Sequence, residues 1–87
     1  MPIVYTCTAA DGTTCDEVYT TSARDALEPL CTGVGSTTPC AATLHCCLYL
    51  DGAYGDGAQL SCVSSAVTPE ATFRDRCTSY GNTYCAR

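Results

Sequence analysis

Nine cysteines are spread along the 87 residues of this chain, and their density constrains the fold more than any other feature. A domain of this length buries only about 60 to 65% of the surface that its unfolded chain exposes, so an apolar core alone gives it marginal stability. A short chain with about 8 to 10% cysteine is typical of disulfide scaffolds, which persist where thiols are oxidised. The sequence therefore predicts one disulfide-rich domain over residues 1–87, in a secreted, extracellular protein.

The spacing of the cysteines argues against a zinc site. Zinc proteins usually contain Cys-x-x-Cys or His-x-x-x-His pairs, and this sequence has neither. We therefore expect structural disulfides and no metal or cofactor. The candidates are all nine cysteines: Cys7, Cys15, Cys31, Cys40, Cys46, Cys47, Cys62, Cys77 and Cys85. Because nine is odd, one thiol is left over, to be free, buried or joined to another chain, and the count permits a covalent dimer.

The charge of the chain argues against several classes of partner. The net charge is −5, and the basic residues are four scattered arginines, Arg24, Arg74, Arg76 and Arg87. Such a chain lacks the electrostatic footprint for nucleic acid or for anionic membranes.

No apolar run approaches the roughly 18 residues of a membrane span. The first residues lack the basic and apolar segments of a signal peptide, so we expect Met1 to begin a mature, processed chain.

A β-hairpin is the clearest predicted unit. Residues 44–50 and 58–65 are strand-like, and Asp51-Gly52 and Asp56-Gly57 between them supply the positive φ angles of a connecting loop. The same acids and glycines resemble a calcium loop only loosely, so turn formation explains them better. The terminal residues 83–85 form a further short strand.

The second clear unit is a helix after the hairpin. Residues 68–70, Thr-Pro-Glu, offer an N-cap, a proline at the first helical position and an acid in the first turn. Phe73, Cys77 and Tyr80 then repeat at i, i+4 and i+7, which predicts one buried face, and Gly81 ends the helix.

The N-terminal half allows two arrangements. Residues 3–8 are rich in β-branched and aromatic side chains and predict a strand. Residues 22–31 favour a helix capped by Ser22, although Pro29 opposes it. The alternative pairs residues 18–21 with the first strand across Asp11-Gly12.

The resulting order is strand, helix, strand, strand, helix, strand. This order predicts an α+β protein with the ferredoxin-like split β-α-β-β-α-β plan, in which one antiparallel sheet carries two helices on one face. We expect disulfides to staple the helices to the sheet.

The adjacent Cys46 and Cys47 must point to opposite faces of their strand. Cys46 shares its face with Leu44 and Leu48, which marks that face as the core side. We therefore expect Cys46 to belong to the inward cysteines that staple helices to sheet, together with Cys7, Cys31, Cys62 and Cys77. Cys47 would serve the uncovered face, bonded to a cysteine such as Cys15 or Cys40, or left over.

Few residues suggest chemistry. His45 is the only histidine, and we expect it to be exposed beside a disulfide rather than paired with Cys47 as a nucleophile. Asp16 and Glu17 are expected to be solvated, since paired catalytic acids need a cleft. The sequence thus predicts no catalytic, metal-binding or cofactor-binding residue. Exposed tyrosines suit recognition, and Tyr49 and Tyr54 beside the hairpin loop are the candidates for a binding surface.

The last fifth of the chain, ATFRDRCTSYGNTYCAR, has Phe73 four residues before Cys77 in an amphipathic helix and Cys85 almost at the end. This stretch resembles the C-terminal end of the secreted smut-fungus killer toxins of the killer-protein-six type. The resemblance implies a disulfide-bonded αβ sandwich with the same element order, a fold that recurs among apoplastic effectors of plant-pathogenic fungi. The adjacent pair Cys46-Cys47 and the odd cysteine total depart from that family, and no functional residues are carried over.

The small fungal hydrophobins offer a second resemblance, through a cysteine doublet and a Phe-x-x-x-Cys helix. They need two doublets, whereas Cys85 is followed here by Ala86, and the chain lacks a long exposed aliphatic loop.

The leading hypothesis is therefore a secreted, virulence-associated fungal effector without enzymatic activity. It would bind a host extracellular protein or cell-surface component. The alternatives are a killer toxin or antifungal protein acting on competing microbes, and a small hydrophobin-like surface protein. An extracellular protease inhibitor would need a rigid exposed loop, and the glycine-rich residues 51–57 are the only candidate.

Overall fold

A computed structural model describes residues 2–51, 54 and 57–86. These residues form six strands, two α-helices and a 3-10 turn in an α+β arrangement. In chain order the elements are β1 (Tyr5–Thr8), β2 (Thr14–Val18), α1 (Thr21–Leu27), a 3-10 turn (Glu28–Leu30), β3 (Val34–Ser36), β4 (His45–Tyr49), β5 (Gln59–Val63), α2 (Glu70–Ser79) and β6 (Thr83–Ala86). Within this part of the chain no helix has the length and apolarity needed to cross a membrane.

The described strands form one antiparallel sheet of six strands in the order β3-β1-β2-β5-β4-β6. The predicted class, an α+β domain with one antiparallel sheet, two helices and disulfides, is confirmed. The sheet has two more strands than predicted, β2 and β3. Because β2 and β4 both pair antiparallel with β5, they run parallel to each other on either side of it.

The two arrangements considered for the N-terminal half are both partly present. β1 and β2 form a hairpin across Asp11-Gly12, with β2 earlier in the chain than residues 18–21. Gly12 has a φ of 75°. The Asp11 carboxylate accepts hydrogen bonds from the backbone N–H of Thr13 at 3.0 Å and from its hydroxyl at 2.7 Å. These bonds favour the charged carboxylate and lower the pKa of Asp11.

Both helices form, but their caps differ from those predicted. α1 is capped by Thr20, whose hydroxyl accepts a hydrogen bond from the N–H of Ala23 at 3.1 Å, and not by Ser22. It ends at Leu27 because Pro29 lies in the following 3-10 turn. α2 begins after Pro69 without a side-chain cap, so the cap predicted at residue 68 was wrong.

Four disulfides join the described elements: Cys7–Cys31, Cys15–Cys40, Cys46–Cys62 and Cys47–Cys77. The prediction for the adjacent pair was wrong. Cys47, expected on an uncovered face, is bonded to Cys77 of α2. Cys46 bonds across the sheet to Cys62 instead of to a helix. Alternation correctly separated the two side chains, but both faces are covered, so apolar neighbours could not indicate which face carries a helix.

A cystine-rich cluster, which we call the first core cluster, fills one face of the sheet. Its buried members are Cys15, Cys40, Leu44, Cys46, Leu60 and Cys62. In register across neighbouring strands, Cys15 lies opposite Cys62, Cys62 opposite Cys46, and Cys46 opposite Cys85. The half-buried Cys85 packs against this cluster, and the four disulfides use the other eight cysteines. Cys7, predicted to share a face with Cys46, lies in register with Asp16 on the opposite face.

Glu17 is buried in the floor of the first core cluster, 1% exposed. It pairs with Leu60 in the sheet. One carboxylate oxygen accepts a hydrogen bond from the N–H of Cys40 at 2.8 Å, and the other accepts one from the hydroxyl of Tyr19 at 3.0 Å. The expectation that the Asp16-Glu17 pair is solvated was therefore wrong, because the segment around Cys40 covers Glu17.

A second core cluster lies between α1 and the sheet. It consists of Ala23 and Leu27 of α1 and Val18 of β2, with Tyr5 and Cys7 packed against it. The N-terminal helix is thus held to β1 and β2 by apolar contacts, and Cys7–Cys31 ties the end of its 3-10 turn to β1.

Candidate functional site

Three polar side chains form a network in the middle of the sheet. Asp16 of β2 lies in register with Ser61 of β5. Gln59 lies two residues before Ser61 on the same strand and therefore on the same face. The Ser61 hydroxyl donates to Asp16 Oδ1 at 2.5 Å. The Gln59 amide donates to the Ser61 hydroxyl at 2.8 Å and to Asp16 Oδ1 at 3.3 Å. We call these three residues the polar network.

The polar network opens into a groove at the end of the β4–β5 hairpin. This polar groove has a volume of about 290 Å³ and is lined by Tyr49, Asp51, Gln59 and Ser61. Tyr49 forms its wall because it lies opposite Gln59 in the sheet. Asp51 is exposed, whereas Gln59 is 7% exposed, so the groove has a solvated mouth and a buried floor.

An apolar groove adjoins the polar groove and shares Tyr49 as a wall. Its volume is about 420 Å³. α2 contributes Phe73, Arg76 and Cys77 to the lining, and Tyr80 follows directly after the helix. Val63 and Val67 also line this groove. Tyr80 was expected on the buried stripe of the helix, but it is 83% exposed. The stripe prediction holds for Cys77, which is buried, and Phe73 is half-buried. The prediction was wrong for Tyr80 because α2 ends at Ser79, so the helical spacing does not continue to this residue.

The two tyrosines predicted to form a binding surface occupy different environments. Tyr49 is half-buried and lines both grooves. Tyr54 is half-buried as well and packs against the second core cluster. Burial, and next the negative charge of Asp16, raise the pKa of Tyr54. Asp16 thus connects Tyr54 to the polar network. The loop residues Gly52 and Asp56, on which the turn prediction depended, lie outside the described residues.

His45 lies in an aromatic cluster and is not exposed as expected. It is 5% exposed, and its ring meets that of Phe73 edge-on, with the centroids 5.0 Å apart. Tyr84 of β6 completes the cluster at 6.4 Å from both rings. Among the described residues, Nε2 of His45 has no hydrogen-bond partner. Cys47, considered as a nucleophile beside His45, is committed to its disulfide.

Sequence reasoning did not identify Gln59 and Ser61. Their signal is weak but present, because both are polar at alternate positions of a strand whose other positions are apolar. Recognising them needs the pairing of β2 with β5, which brings Asp16 to Ser61 from 45 residues away in the sequence.

Comparison of the chain with protein families, with curated proteins and with solved structures found no match. The chemistry of the grooves therefore carries the functional argument. The polar groove offers carboxylate and hydroxyl oxygens beside an aromatic ring, and the apolar groove offers aromatic surface with one arginine in its lining. Both arrangements suit binding. Within the described residues, His, Cys, Asp and Glu side chains do not gather in a group that could hold a metal ion.

Proposed function

We propose that this protein is a secreted fungal effector that acts in the apoplast by binding a host extracellular protein or cell-surface component, without enzymatic activity. Four disulfides in a small domain are consistent with an extracellular protein. The fungal origin and the role in virulence rest on the resemblance of the C-terminal stretch to the killer toxins.

The apolar groove is the observation that carries the binding proposal. Exposed Tyr80 and exposed Val67 flank it, and Phe73 and Arg76 lie in its wall. Tyrosine, phenylalanine and arginine are enriched at protein interfaces because they bury large areas and still offer polar contacts. A chain that places such residues around one groove has a surface suited to a macromolecular partner.

The surroundings of Ser61 support the absence of catalysis. Its hydroxyl donates directly to Asp16, whereas a serine nucleophile normally donates to a histidine that accepts its proton. His45, the only histidine of the chain, pairs with Val63 and packs on Phe73.

We also propose that the two helices cover one face of the sheet, as in the killer-toxin-like αβ sandwich with its ferredoxin-like split units. α1 packs on Val18 and α2 is bonded to Cys47. These two residues lie opposite Gln59 and Ser61, which are two positions apart on β5 and so point to the same side. The parallel strands β2 and β4, with β5 between them in the sheet and α1 between them in the chain, support this proposal.

The test of function uses the purified oxidised protein beside two variants. Tyr80→Ala removes the exposed ring at the apolar groove, and Leu30→Ala removes an exposed apolar side chain on the 3-10 turn. Leaf tissue is infiltrated with each protein, and immune output is measured. Host extracellular fluid is passed over each immobilised protein. We expect the wild type and Leu30→Ala to alter immune output and retain the same host component, and Tyr80→Ala to do neither.

A panel of fungi and bacteria is exposed to the same proteins in parallel. Inhibition of their growth, abolished by reducing the disulfides, would replace the effector proposal with the killer-toxin alternative. Hydrolysis of a host polymer by the wild-type protein would contradict a purely binding role.

A further inference from the structure

We propose that the polar groove is a binding site for the guanidinium group of an arginine side chain on the partner protein. The inference deepens the proposed function, on which it rests for the identity of the partner as a protein. Tyr49, Asp51 and the polar network would together recognise one basic side chain of the partner. The adjoining apolar groove would contact the partner's surface next to that side chain.

The charge of the groove favours a cation. Asp51 lies at its mouth, and Asp16 is hydrogen-bonded to Ser61 in its lining and to Gln59 in its floor. The described lining contains no basic residue, and the whole chain carries a net charge of −5. A concave surface with carboxylates and no basic residue in its described lining raises the local concentration of positively charged groups.

The polar network holds the Asp16 carboxylate in place before a ligand arrives. The side chains of Ser61 and Gln59 both donate hydrogen bonds to Oδ1 of Asp16. An ionised carboxylate offers about four acceptor sites, so these two bonds orient Asp16 without using its whole accepting capacity. Gln59 is 7% exposed and therefore fixed by its surroundings. Such preorganisation lowers the entropy lost on binding.

The shape of the groove favours guanidinium over ammonium. A volume of about 290 Å³ accommodates one side chain rather than an extended ligand. The Tyr49 ring offers a flat wall on which a planar guanidinium can stack, while its N–H groups reach a carboxylate. An ammonium group has no such planar fork. A neutral sugar could also stack on Tyr49, but it would gain little from the two carboxylates, so the charge of the site favours arginine.

The proposal is tested by titrating the isotopically labelled protein with N-acetyl-arginine N-methylamide and recording amide chemical shifts. We expect saturable shifts that map to Tyr49, Asp51 and Gln59 and weaken with added salt. The citrulline counterpart has the same shape without the charge, and the lysine counterpart has the charge without the planar fork. Both should bind more weakly than the arginine probe.

Two variants separate this site from the general acidity of the chain. Asp51→Asn should raise the dissociation constant of the arginine probe about fivefold, the equivalent of one exposed ion pair. Asp75→Asn removes the same charge from an exposed position on α2 and should leave the dissociation constant unchanged. Unchanged backbone shifts away from each substitution show that the variants are folded.

Equal binding of the citrulline probe, an unaffected Asp51→Asn variant, or shifts that map elsewhere would each overturn the inference. Saturable binding of chitotetraose in the same groove with no response to the arginine probe would identify a sugar site instead. The experiments distinguish failure of the effector function from failure of the arginine site. If the arginine probe binds but leaf immune output is unchanged and no host component is captured, only the effector function is contradicted. If a host component is captured through Tyr80 but the probe does not bind, only the arginine site is contradicted.

Discussion

Cys46 and Cys62 lie directly opposite each other on β4 and β5, with their Cα atoms 4.0 Å apart, and the disulfide between them joins two strands that are already hydrogen-bonded. Cys47, the next residue, instead ties the sheet to α2. Two adjacent cysteines therefore stabilise different parts of the fold. One links neighbouring strands within the sheet, and the other links the sheet to a helix.

Removing these two disulfides should have distinguishable effects. Each double substitution to alanine, at Cys46 and Cys62 or at Cys47 and Cys77, should lower the free energy of unfolding by about 3 to 4 kcal/mol, measured with urea. The Cys47–Cys77 loop is longer, with a separation of 30 residues against 16, so its loss should cost slightly more. Hydrogen exchange should then show deprotected amides in α2 only for the Cys47 and Cys77 variant. Equal loss of protection in α2 for both variants would contradict this assignment.

Glu17 should be important for stability although it lines neither groove. Glu17→Ala removes the acceptor for the N–H of Cys40 and for the hydroxyl of Tyr19. A buried donor that loses its acceptor, here the N–H of Cys40, costs about 1 to 3 kcal/mol, so we expect a loss of at least about 1 kcal/mol. Glu28→Ala, at an exposed position, is the control. Similar urea midpoints for the two variants would show that Glu17 does not anchor the segment around Cys40.

His45 should be replaceable by an apolar ring. Nε2 of His45 is buried without a hydrogen-bond partner among the described residues, and its ring packs edge-on against Phe73. Because an apolar group of similar shape removes an unsatisfied polar atom, His45→Phe should leave the free energy of unfolding unchanged or raise it. Thermal unfolding at neutral pH measures the change. A marked loss of stability would mean that the imidazole nitrogens make contacts that the ring packing does not reveal.

Tyr54 should make stability depend on alkaline pH. Burial and the charge of Asp16 raise the pKa of Tyr54 above its ordinary value of 10.0. The protonated phenol is therefore favoured in the folded state. Its contribution is fully present below the unfolded pKa and is lost as the pH rises through the folded pKa. The pKa of Tyr84 is raised as well, so spectrophotometric titration should show two late-ionising tyrosines. Tyr54→Phe should remove one of these two late steps, and Asp16→Asn should bring the pKa of Tyr54 closer to 10 because the second cause is removed.

The sequence predicted the elements with strong local signals. Residues 44–50 and 58–65 contain β4 and β5, and the helix that Gly81 was expected to end is α2, with Gly81 at a φ of 81°. These signals are local, since alternation, glycine and helical spacing act within a few residues. The partner of each strand is not a local property. Nothing near Asp16 indicates that β2 lies beside β5.

The main wrong prediction was that one face of the sheet is uncovered, and the reason is related. Leucines beside Cys46 indicated a core, and the corresponding inference for Cys47 assumed that the other face was open. The structure covers both faces, one with the segment around Cys40 and the other by α1 over Val18. A strand buried on both sides has no solvent face to orient it. The polar groove was missed for the same reason, since its residues lie on a covered face.

The four disulfides divide into two sets that do not cross. Two close within residues 7–40 and two within residues 46–77. The only covalent connection between the sets is the backbone of residues 41–45, and the pairing of β2 with β5 holds them together in the sheet. The same pairing could form between two chains that exchange halves, with every native disulfide intact. Such domain exchange would give a dimer that separates in denaturant without reduction, which distinguishes it from one joined through a cysteine.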